Sequence, residues 1–245
     1  MNNKSDNDKV YASQRDMIVD FVFDEQVANV FPDMIRRSVP GYDTLIPLLG
    51  VFAERYVQTN TTIYDLGCSL GAATLAIRRR IKQPGCRIIA VDNAQAMVTQ
   101  CREHISQDQS TTPVEVVCND VLNIPFSNAS LVVMYFTLQF IQPDKRPELI
   151  QRVYDGLNTG GAMIIADKIV FDNKQENRFH DDMHVQFKLA NGYSELEISQ
   201  KRTALENVLI PDSLATHEQR FRQTGFSQVY KWFQCFNFAG LCAIK

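Results

Sequence analysis

Three turns in this sequence have residue types that could together bind a nucleoside. Gly67 interrupts an apolar stretch just before an Ala-rich helical pattern, and glycine at a strand-to-helix turn lets the backbone approach a ligand closely. Asp92 ends the next apolar run, about 25 residues later, where a carboxylate can accept hydrogen bonds from both hydroxyls of a ribose. Asn119-Asp120-Val121 ends a third run and offers a carboxylate and a backbone N–H to an adenine edge. The spacing of the three turns predicts a nucleoside site more strongly than any one of them.

Each turn also has a purely structural interpretation. Asp92 and the neighbouring Asn93 could cap a helix that begins near Ala94, and Asp120 could form an ordinary Asx turn. Glycine is also common at turns that bind nothing. We favour the ligand-binding interpretation because ligands of an open parallel sheet bind outside the carboxyl ends of its strands, where all three turns would lie.

The elements that must position these turns alternate between strand and helix. The predicted strands are Thr62–Leu66, Arg87–Asp92, Val114–Cys118, Ser130–Phe136 and Ala162–Asp167, and the predicted helices among them are Ala72–Ile81, Gln95–His104 and Arg146–Leu157. Strands separated by helices of this length indicate parallel βαβ units with right-handed crossovers. A helix at Thr216–Gln223 then precedes two strands, Val229–Phe233 and Phe238–Ile244, that would pair as an antiparallel hairpin.

Other segments surround this core. Two helices, Asp24–Met34 and Tyr42–Val57, precede the first strand, and a mostly helical insertion at about 172–210 separates the fifth strand from the hairpin. An insertion of this length usually caps a site or forms an interface. We expect a flexible N-terminus at residues 1–20, since its first residues are polar, and a single domain over residues 21–245.

Composition argues against several function classes. The 245 residues carry a net charge of −3 at pH 7, so no general basic field predicts direct binding of nucleic acid. No apolar run approaches the roughly 20 residues of a membrane span. The six cysteines are scattered, without a CxxC pair or a preceding secretion signal, which indicates free thiols in a reducing cytoplasm.

The run from Asp65 to Gly71, of the form D-x-G-C-x-x-G, resembles the first motif of class I S-adenosyl-L-methionine (SAM) enzymes. Ser69 stands where a dinucleotide fingerprint would have its second glycine. The resemblance implies that the amino-acid part of SAM, rather than a pyrophosphate, lies against the turn. It also implies the fold, which is an α/β, Rossmann-like class I SAM-dependent methyltransferase domain. Such a domain has a seven-stranded, mostly parallel sheet and an antiparallel C-terminal hairpin.

Aromatic residues follow the fourth predicted strand. Tyr135 and Phe136 would form the floor under the sulfonium of SAM, since aromatic faces attract cations. Core packing is the competing interpretation, and we expect it for at least one of Phe136 and Phe140.

Two histidines, His180 and His184, lie one helical turn apart, a spacing that metal ligands use. The segment lacks the glutamate of H-E-x-x-H, and no third ligand is evident. We therefore interpret it as a solvated helix face and predict no metal site.

Three longer strings are more specific than the SAM motif. Phe23–Tyr42, Ala190–Val208 and Trp232–Phe238 resemble the carboxy-S-adenosyl-L-methionine (carboxy-SAM) synthase family, and the likeness extends over about Phe23–Lys245. The resemblance implies that SAM and prephenate are the substrates and that carboxy-SAM and phenylpyruvate are the products. It further implies a homodimer and a downstream tRNA carboxymethyltransferase, which uses carboxy-SAM to make uridine 5-oxyacetic acid at the wobble position.

The resemblance also implies a set of ligand contacts. Arg202 would bind the new carboxylate through its guanidinium fork, and Tyr42 would reach over the site from the second helix. The other implied contacts are Gly67, Cys68 and Ser69 with the amino-acid part, Asp92 and Asn93 with the ribose, and Asp120 and Val121 with the adenine. Composition alone would favour Arg202 as a surface arginine and Tyr42 as the start of a helix.

Some positions depart from the family pattern. Tyr135 stands where the family usually has a ligand-contacting asparagine, and Ala166-Asp167-Lys168 stands where Ser-Glu-Lys is usual. No general base is evident. Two alternatives therefore stay open, a conventional SAM-dependent small-molecule methyltransferase and a non-catalytic SAM-binding partner in tRNA modification. The cations available for prephenate, a dianion, are Arg36, Arg37, Lys168 and Lys201.

Overall fold

The computed structural model describes residues 7–15 and 17–245. Over these residues the chain forms eight α-helices and eight β-strands. The helices are α1 (Glu25–Ser38), α2 (Tyr42–Tyr56), α3 (Ala72–Arg78), α4 (Gln95–Gln107), α5 (Arg146–Gly156), α6 (Lys174–Ala190), α7 (Glu195–Leu205) and α8 (Leu214–Thr224). The strands are β1 (Thr62–Leu66), β2 (Arg87–Asp92), β3 (Val114–Cys118), β4 (Ala129–Tyr135), β5 (Leu157–Val170), β6 (Asp212–Ser213), β7 (Gln228–Cys235) and β8 (Phe238–Ile244).

The strands form one sheet in the order β3-β2-β1-β4-β5-β8-β7. The first five strands of the chain pair in parallel, and β8 is antiparallel to both β5 and β7. Parallel strands need crossover helices, which cover both faces of the sheet. The carboxyl ends of β1, β2, β3 and β4 therefore all meet at one edge, which is where the three turns predicted to bind a nucleoside lie.

Strand β4 shows how the sequence builds a core on both faces of the sheet. All seven of its residues are buried. Leu131 and Val133 pack in one apolar cluster with residues of α2 and α3, whereas Val132 and Met134 pack in another with residues of α5 and α8. Successive side chains of a strand point to opposite faces, so a continuous apolar run is needed where both faces are covered.

The predicted fold is confirmed, with local differences in the elements. The seven-stranded sheet and its closing hairpin are present, and a two-residue strand, β6, additionally pairs with the end of β5. Helix α1 continues past Met34 to Ser38, because Arg36 and Arg37 form helix readily and suit the negative end of the helix dipole. Strand β5 is longer than predicted, because Leu157 pairs with Ala129 of β4 before the predicted start, and Ile169 and Val170 pair with β6 after the predicted end.

The insertion forms two capped helices, α6 and α7. Asn173 accepts hydrogen bonds from the first turn of α6, and Ser194 with Glu197 forms a reciprocal capping box at the start of α7. Both helices are tied to α1 through Ser38. The Nε2–H of His184 donates to the Ser38 carbonyl oxygen at 2.8 Å. We call α1, α6 and α7 the roof, because together they cover the carboxyl edge of the sheet.

The described part of the N-terminal segment packs against the roof. Asp8 is 2% exposed and Tyr11 is also buried. Asp8 accepts a hydrogen bond from the Tyr193 hydroxyl, and its own N–H donates to Asp33. Gln200 on α7 donates to two backbone carbonyls of this segment. Buried polar groups with partners hold residues 7–15 against the roof, while residues 1–6 and 16 lie outside the described residues.

Among the described residues, no helix combines the length and the apolar character that crossing a membrane requires. The longest helix, α6, has 17 residues and carries charged side chains along its length.

A buried ion pair joins the chain after the roof to helix α5. Arg146 at the start of α5 is fully buried, and one of its guanidinium nitrogens lies 2.6 Å from Asp212 Oδ2. The same guanidinium donates to the carbonyl oxygens of Ile141 and Ile210 at 2.8 and 2.7 Å. This side chain therefore fixes where the roof returns to the sheet.

Arg146→Met removes this buried cation without emptying its space. We expect the free energy of unfolding to fall by about 3–5 kcal/mol, because Asp212 and two carbonyl groups lose a buried partner. Urea denaturation monitored by circular dichroism measures the change. Arg222→Met is the matched control, since Arg222 is 65% exposed in its pair with Glu218 and such pairs contribute about 0–1 kcal/mol. Equal effects of the two substitutions would contradict this account.

Candidate active site

A cleft of about 1120 Å³ lies between the carboxyl edge of the sheet and the roof. All ten residues that sequence reasoning assigned to the ligand line it, from Gly67 on the first turn to Arg202 on α7. The ten are Tyr42, Gly67, Cys68, Ser69, Asp92, Asn93, Asp120, Val121, Tyr135 and Arg202. The cleft exceeds the usual size of a small-molecule pocket, which is roughly 300–1000 Å³, so it has room for more than one ligand.

The first turn is held tightly against the sheet. Gly67 has φ +83°, and any Cβ at this position would overlap the side chain of Thr137. The N–H groups of Gly67 and Cys68 both donate to the Val91 carbonyl oxygen, at 2.8 and 2.9 Å. Ser69 also has a left-handed backbone, with φ 48°. Glycine is therefore required at position 67 by both backbone conformation and space.

Asp65, the acidic residue of the same motif, acts beneath the turn. It is fully buried and accepts a hydrogen bond from the Thr74 hydroxyl on α3. Burial raises its pKa to about 6. The side chain ties β1 to the helix that follows the turn and does not line the cleft.

Asp92 accepts hydrogen bonds within the protein and can still accept hydrogen bonds from a ligand. Its Oδ2 accepts from Ser69 N–H at 2.9 Å, and its Oδ1 accepts from Ala94 N–H at 3.0 Å. Burial raises its pKa above the ordinary value. A carboxylate has about four acceptor positions, so both oxygens can accept a further hydrogen bond from a ribose hydroxyl while Asp92 still orders the two turns.

Asp120 also forms an Asx turn, as the structural interpretation of this residue predicted. Its Oδ1 accepts from Leu122 N–H at 2.8 Å, and its own N–H donates to Asn119 Oδ1 at 2.8 Å. Within the described residues its Oδ2 accepts no hydrogen bond. That oxygen is the acceptor that an exocyclic amine would use.

Three aromatic rings meet in the cleft. The Tyr42 ring lies 6.1 Å from that of Tyr135 and 6.3 Å from that of Phe136, and the last two are 4.5 Å apart. Phe136 has φ 57°, an unusual conformation for a bulky residue, which its environment must enforce. Aromatic faces at these distances attract a cation such as a sulfonium.

Tyr135 brings a hydroxyl into this aromatic group. The hydroxyl is buried and has no hydrogen-bond partner among residues 7–15 and 17–245. Burial raises its pKa above the ordinary value, so it stays protonated and is available as a donor at neutral pH. A buried hydroxyl that lines a cleft can donate to a polar group of a ligand.

The structure shows which of the four cations available for prephenate face the cleft. Arg37 is occupied by Asp33 at 3.0 Å and by the carbonyl oxygen of Asn191, and it stacks on the Tyr193 ring. Arg36 is largely exposed and pairs with Asp43. Neither is well placed to bind a second ligand in the cleft, although Arg36 lines its edge.

The other two cations, Lys168 and Lys201, line the cleft, and their distances to the nearest carboxylate oxygens are longer than the Arg37–Asp33 distance. Lys168 Nζ lies 3.7 Å from Asp181 Oδ1. Lys201 Nζ donates to the Ser38 hydroxyl at 3.0 Å and lies 3.8 Å from Asp8 Oδ2. Both line the cleft together with Arg202, which is exposed on α7.

Sequence reasoning missed Lys188. It is partly buried on α6, lines the cleft and has no ion-pair partner among the described residues. It lies four residues after His184, on the same helix face. The sequence did contain a signal for Lys188, because a lysine four residues after a histidine of the same helix lies on the same face as that histidine.

The expectation of a solvated face at the two histidines is wrong for His184. This side chain is buried, packs against Phe238 and donates to Ser38. Burial lowers its pKa to about 2, so it is neutral at physiological pH. His180 instead stacks on Phe171 at 4.3 Å. Across residues 7–15 and 17–245, no group of three His, Cys, Asp or Glu side chains is arranged to hold a metal.

Comparison with known proteins identifies the family. A family model described as a methyltransferase domain matches residues 63–161. The carboxy-SAM synthase of Vibrio campbellii is 55% identical over 245 residues, which cover 100% of both chains. That of Histophilus somni is 53% identical over 238 residues, 97% of this chain and 99% of the relative. The chain belongs to the carboxy-S-adenosyl-L-methionine synthase family.

Solved structures that resemble this carboxy-SAM synthase family member share its fold. An O-methyltransferase family protein from Burkholderia thailandensis superposes with a TM-score of 0.63 at 19% identity, over 91% of this chain and 60% of that one. Human N-acetylserotonin methyltransferase, solved in complex with SAM, gives 0.60 at 14% identity, over 90% and 55%. The chain thus spans somewhat more than half of these larger proteins. A SAM-dependent methyltransferase from Methanococcus maripaludis gives 0.59 at 20% identity, over 95% and 96%.

Gly67→Ala tests the close approach at the first turn. We expect a loss of at least 3 kcal/mol in the free energy of unfolding, because the new Cβ adds an overlap with Thr137 to the cost of a left-handed backbone. Gly192→Ala is the matched control. Gly192 has φ +84°, but the nearest atom to its Cβ, on Arg37, is 3.6 Å away, so only the backbone cost of about 1 kcal/mol applies.

Chemical denaturation of both variants separates the cost of the overlap with Thr137 from the cost of a left-handed backbone. If Gly67→Ala cost no more than Gly192→Ala, the packing against Thr137 would not be what requires glycine at the first turn.

Proposed function

We propose that this protein converts SAM and prephenate into carboxy-SAM and phenylpyruvate. The observation that carries the proposal is the charge of the cleft. Eight of its lining residues are Lys or Arg and five are Asp or Glu, whereas the chain as a whole carries a net charge of −3. A positive cleft beside a nucleoside site suits an anionic second substrate.

The residues on the sheet side of the cleft would bind SAM. Gly67, Cys68 and Ser69 would contact its amino-acid part, and Asp92 with Asn93 would accept from the ribose hydroxyls. Asp120 Oδ2 and the Val121 backbone would meet the adenine edge. The rings of Tyr42, Tyr135 and Phe136 would lie near the sulfonium, where their faces stabilise positive charge.

The residues on the roof side would bind the carboxylates of prephenate. When SAM is bound, it supplies an acidic methyl group beside the sulfonium, and this carbon receives the carboxyl group that prephenate loses. The reaction balances with the release of one water, since the ring hydroxyl of prephenate leaves and the methyl proton must be taken up. The leaving hydroxyl can accept that proton, which accounts for a site without an evident protein base.

Arg202 would retain the product. Its guanidinium can make two charge-assisted hydrogen bonds to the new carboxylate, and no acidic side chain among the described residues pairs with it. SAM has no carboxylate at this position, so Arg202 would favour carboxy-SAM over SAM.

The proposal extends to the pathway and to the assembly. Carboxy-SAM would serve a downstream tRNA carboxymethyltransferase that builds uridine 5-oxyacetic acid at the wobble position in the cytoplasm. The protein itself would act as a homodimer that binds neither nucleic acid nor membrane. These statements rest on the family resemblance of the strings at Phe23–Tyr42, Ala190–Val208 and Trp232–Phe238.

A conventional SAM-dependent methyltransferase is the second candidate. Tyr135 favours it, because a bulkier ring replaces the usual asparagine beneath the reacting carbon. Mass spectrometry after incubation with SAM and prephenate separates the two candidates. Formation of a compound with the mass of SAM plus carbon dioxide supports the proposal. Unchanged SAM, or S-adenosylhomocysteine alone, would refute it.

Arg202→Met tests the role of the guanidinium. We expect the Kd for carboxy-SAM to rise about 10- to 100-fold, since a charge-assisted contact contributes about 1.5–3 kcal/mol, while the Kd for SAM changes little. Isothermal titration calorimetry measures both constants. Arg178→Met is the control, because Arg178 is an exposed arginine at the edge of the same cleft. A parallel loss of affinity for SAM and carboxy-SAM would remove Arg202 from this role.

A further inference from the structure

The roof side of the cleft holds a group of four cations that the protein itself neutralises only in part. We call Lys168, Lys188, Lys201 and Arg202 the cation group. They come from three elements, β5, α6 and α7, and all four line the cleft. Like charges brought together in a partly desolvated site destabilise the folded state unless an anion joins them.

Lys188 is the least compensated lysine of this group. Lys201 has Asp8 and the Ser38 hydroxyl as partners, and Lys168 has Asp181. Within residues 7–15 and 17–245, the Lys188 side chain has neither an ion-pair partner nor a hydrogen-bond partner, although it is partly buried. The charged groups that face it are Lys168 from β5, Asp181 from its own helix, and Lys201 and Arg202 from α7, with the neutral His184 one turn before it.

The segment of α6 that carries Lys188 is held in place by His184. His184, on the same face of α6, is held by its hydrogen bond to Ser38 and by the Phe238 ring, 4.9 Å away. Phe238 in turn packs against Phe136, at 5.9 Å. The rings of Phe238 and Phe136 therefore lie between His184, one turn before Lys188, and the aromatic group on the sulfonium side, and both rings line the cleft. A ligand that reaches along these rings to Lys188 suits an apolar body with an anionic group at its end.

The electrostatics agree with this geometry. Burial, followed by the charges of Lys201, Lys168 and Arg202, lowers the pKa of Lys188 to about 7, and Asp181 opposes this only in part. The lysine is therefore about half charged at neutral pH without a ligand. An arriving carboxylate would raise its pKa again, so that binding takes up a proton.

We propose that Lys188 binds the carboxylate that the second substrate keeps, while Arg202 faces the carboxylate that is transferred. The inference rests on the proposed function, in which prephenate carries two carboxylates and phenylpyruvate retains one. Lys188 then determines specificity for a second substrate with two anionic groups. The rings of Phe136 and Phe238, which line the cleft, suit the apolar ring that lies between the two carboxylates of prephenate.

Binding of phenylpyruvate and of prephenate to protein saturated with S-adenosylhomocysteine tests the inference, because no methyl group is present to react. We expect Lys188→Met to weaken both ligands about 10- to 100-fold and Lys188→Arg to restore most of the affinity. Arg202→Met should weaken prephenate more than phenylpyruvate. Lys145→Met is the control, since Lys145 lies at the edge of the cleft, is 56% exposed and pairs with Asp144.

Calorimetry at pH 8 in two buffers of different ionisation enthalpy adds a readout that a structural role would not change. We expect the wild type to take up nearly one proton more than Lys188→Met when phenylpyruvate binds, because Lys188 is mostly neutral before binding at this pH. Burial also lowers the pKa of Lys201, to about 8, but this lysine is present in both proteins and its proton uptake is common to both. The melting temperature of Lys188→Met is not expected to fall, since the substitution removes an unfavourable charge.

The outcomes separate the inference from the proposed function. If the wild type forms carboxy-SAM but Lys188→Met binds both ligands normally, the inference alone fails. If no carboxy-SAM forms but phenylpyruvate binds the wild type and not Lys188→Met, the proposed reaction fails and the anion site at Lys188 stands. If the wild type binds neither ligand, the inference is overturned whatever reaction the protein performs.

Discussion

The roof over the cleft depends on the hydrogen bonds of one small residue, Ser38. Its carbonyl oxygen accepts from His184 on α6, and its hydroxyl accepts from Lys201 on α7. These two bonds join both helices of the insertion to the end of α1, whose own side chains line the cleft. Because His184 is neutral and buried, its bond to Ser38 does not depend on a titration near physiological pH. The placement of Lys188 and Arg202 opposite the nucleoside turns follows from it.

The two sides of the cleft use different physical means to bind a ligand. The sheet side uses backbone geometry, since Gly67 brings the chain within contact of Thr137 and Asp92 orders two turns at once. The roof side uses charge, and it keeps lysines in a site that partly desolvates them. That arrangement costs stability in the absence of an anion, which is common where a protein prepares a site for a charged ligand. The aromatic rings between the two sides provide the apolar surface that both ligands would share.

Much of the fold follows from local pattern. Strands β1, β2 and β3 have the predicted bounds because each is a short apolar run ended by a turn signal. The three turns could be placed at one edge because parallel strands align their carboxyl ends. Less could be anticipated where long-range pairing decides an element's length, as in β5, or where a polar segment packs on the roof, as around Asp8. In both cases the partner is more than 25 residues away in the chain.

The sequence by itself determined the alternation of strands and helices, the glycine turn and its acidic neighbours, and the membership of the family, since these depend on local residue types and on strings of residues. Only the tertiary structure decided which cations share the cleft. Arg37 and Lys201 looked alike in the sequence, yet Arg37 binds Asp33 and Asn191 and does not line the cleft, whereas Lys201 lines it. Lys188 and His184 acquired their properties from burial against distant elements. Desolvation and the charge of neighbours depend on three-dimensional packing, which no local pattern specifies.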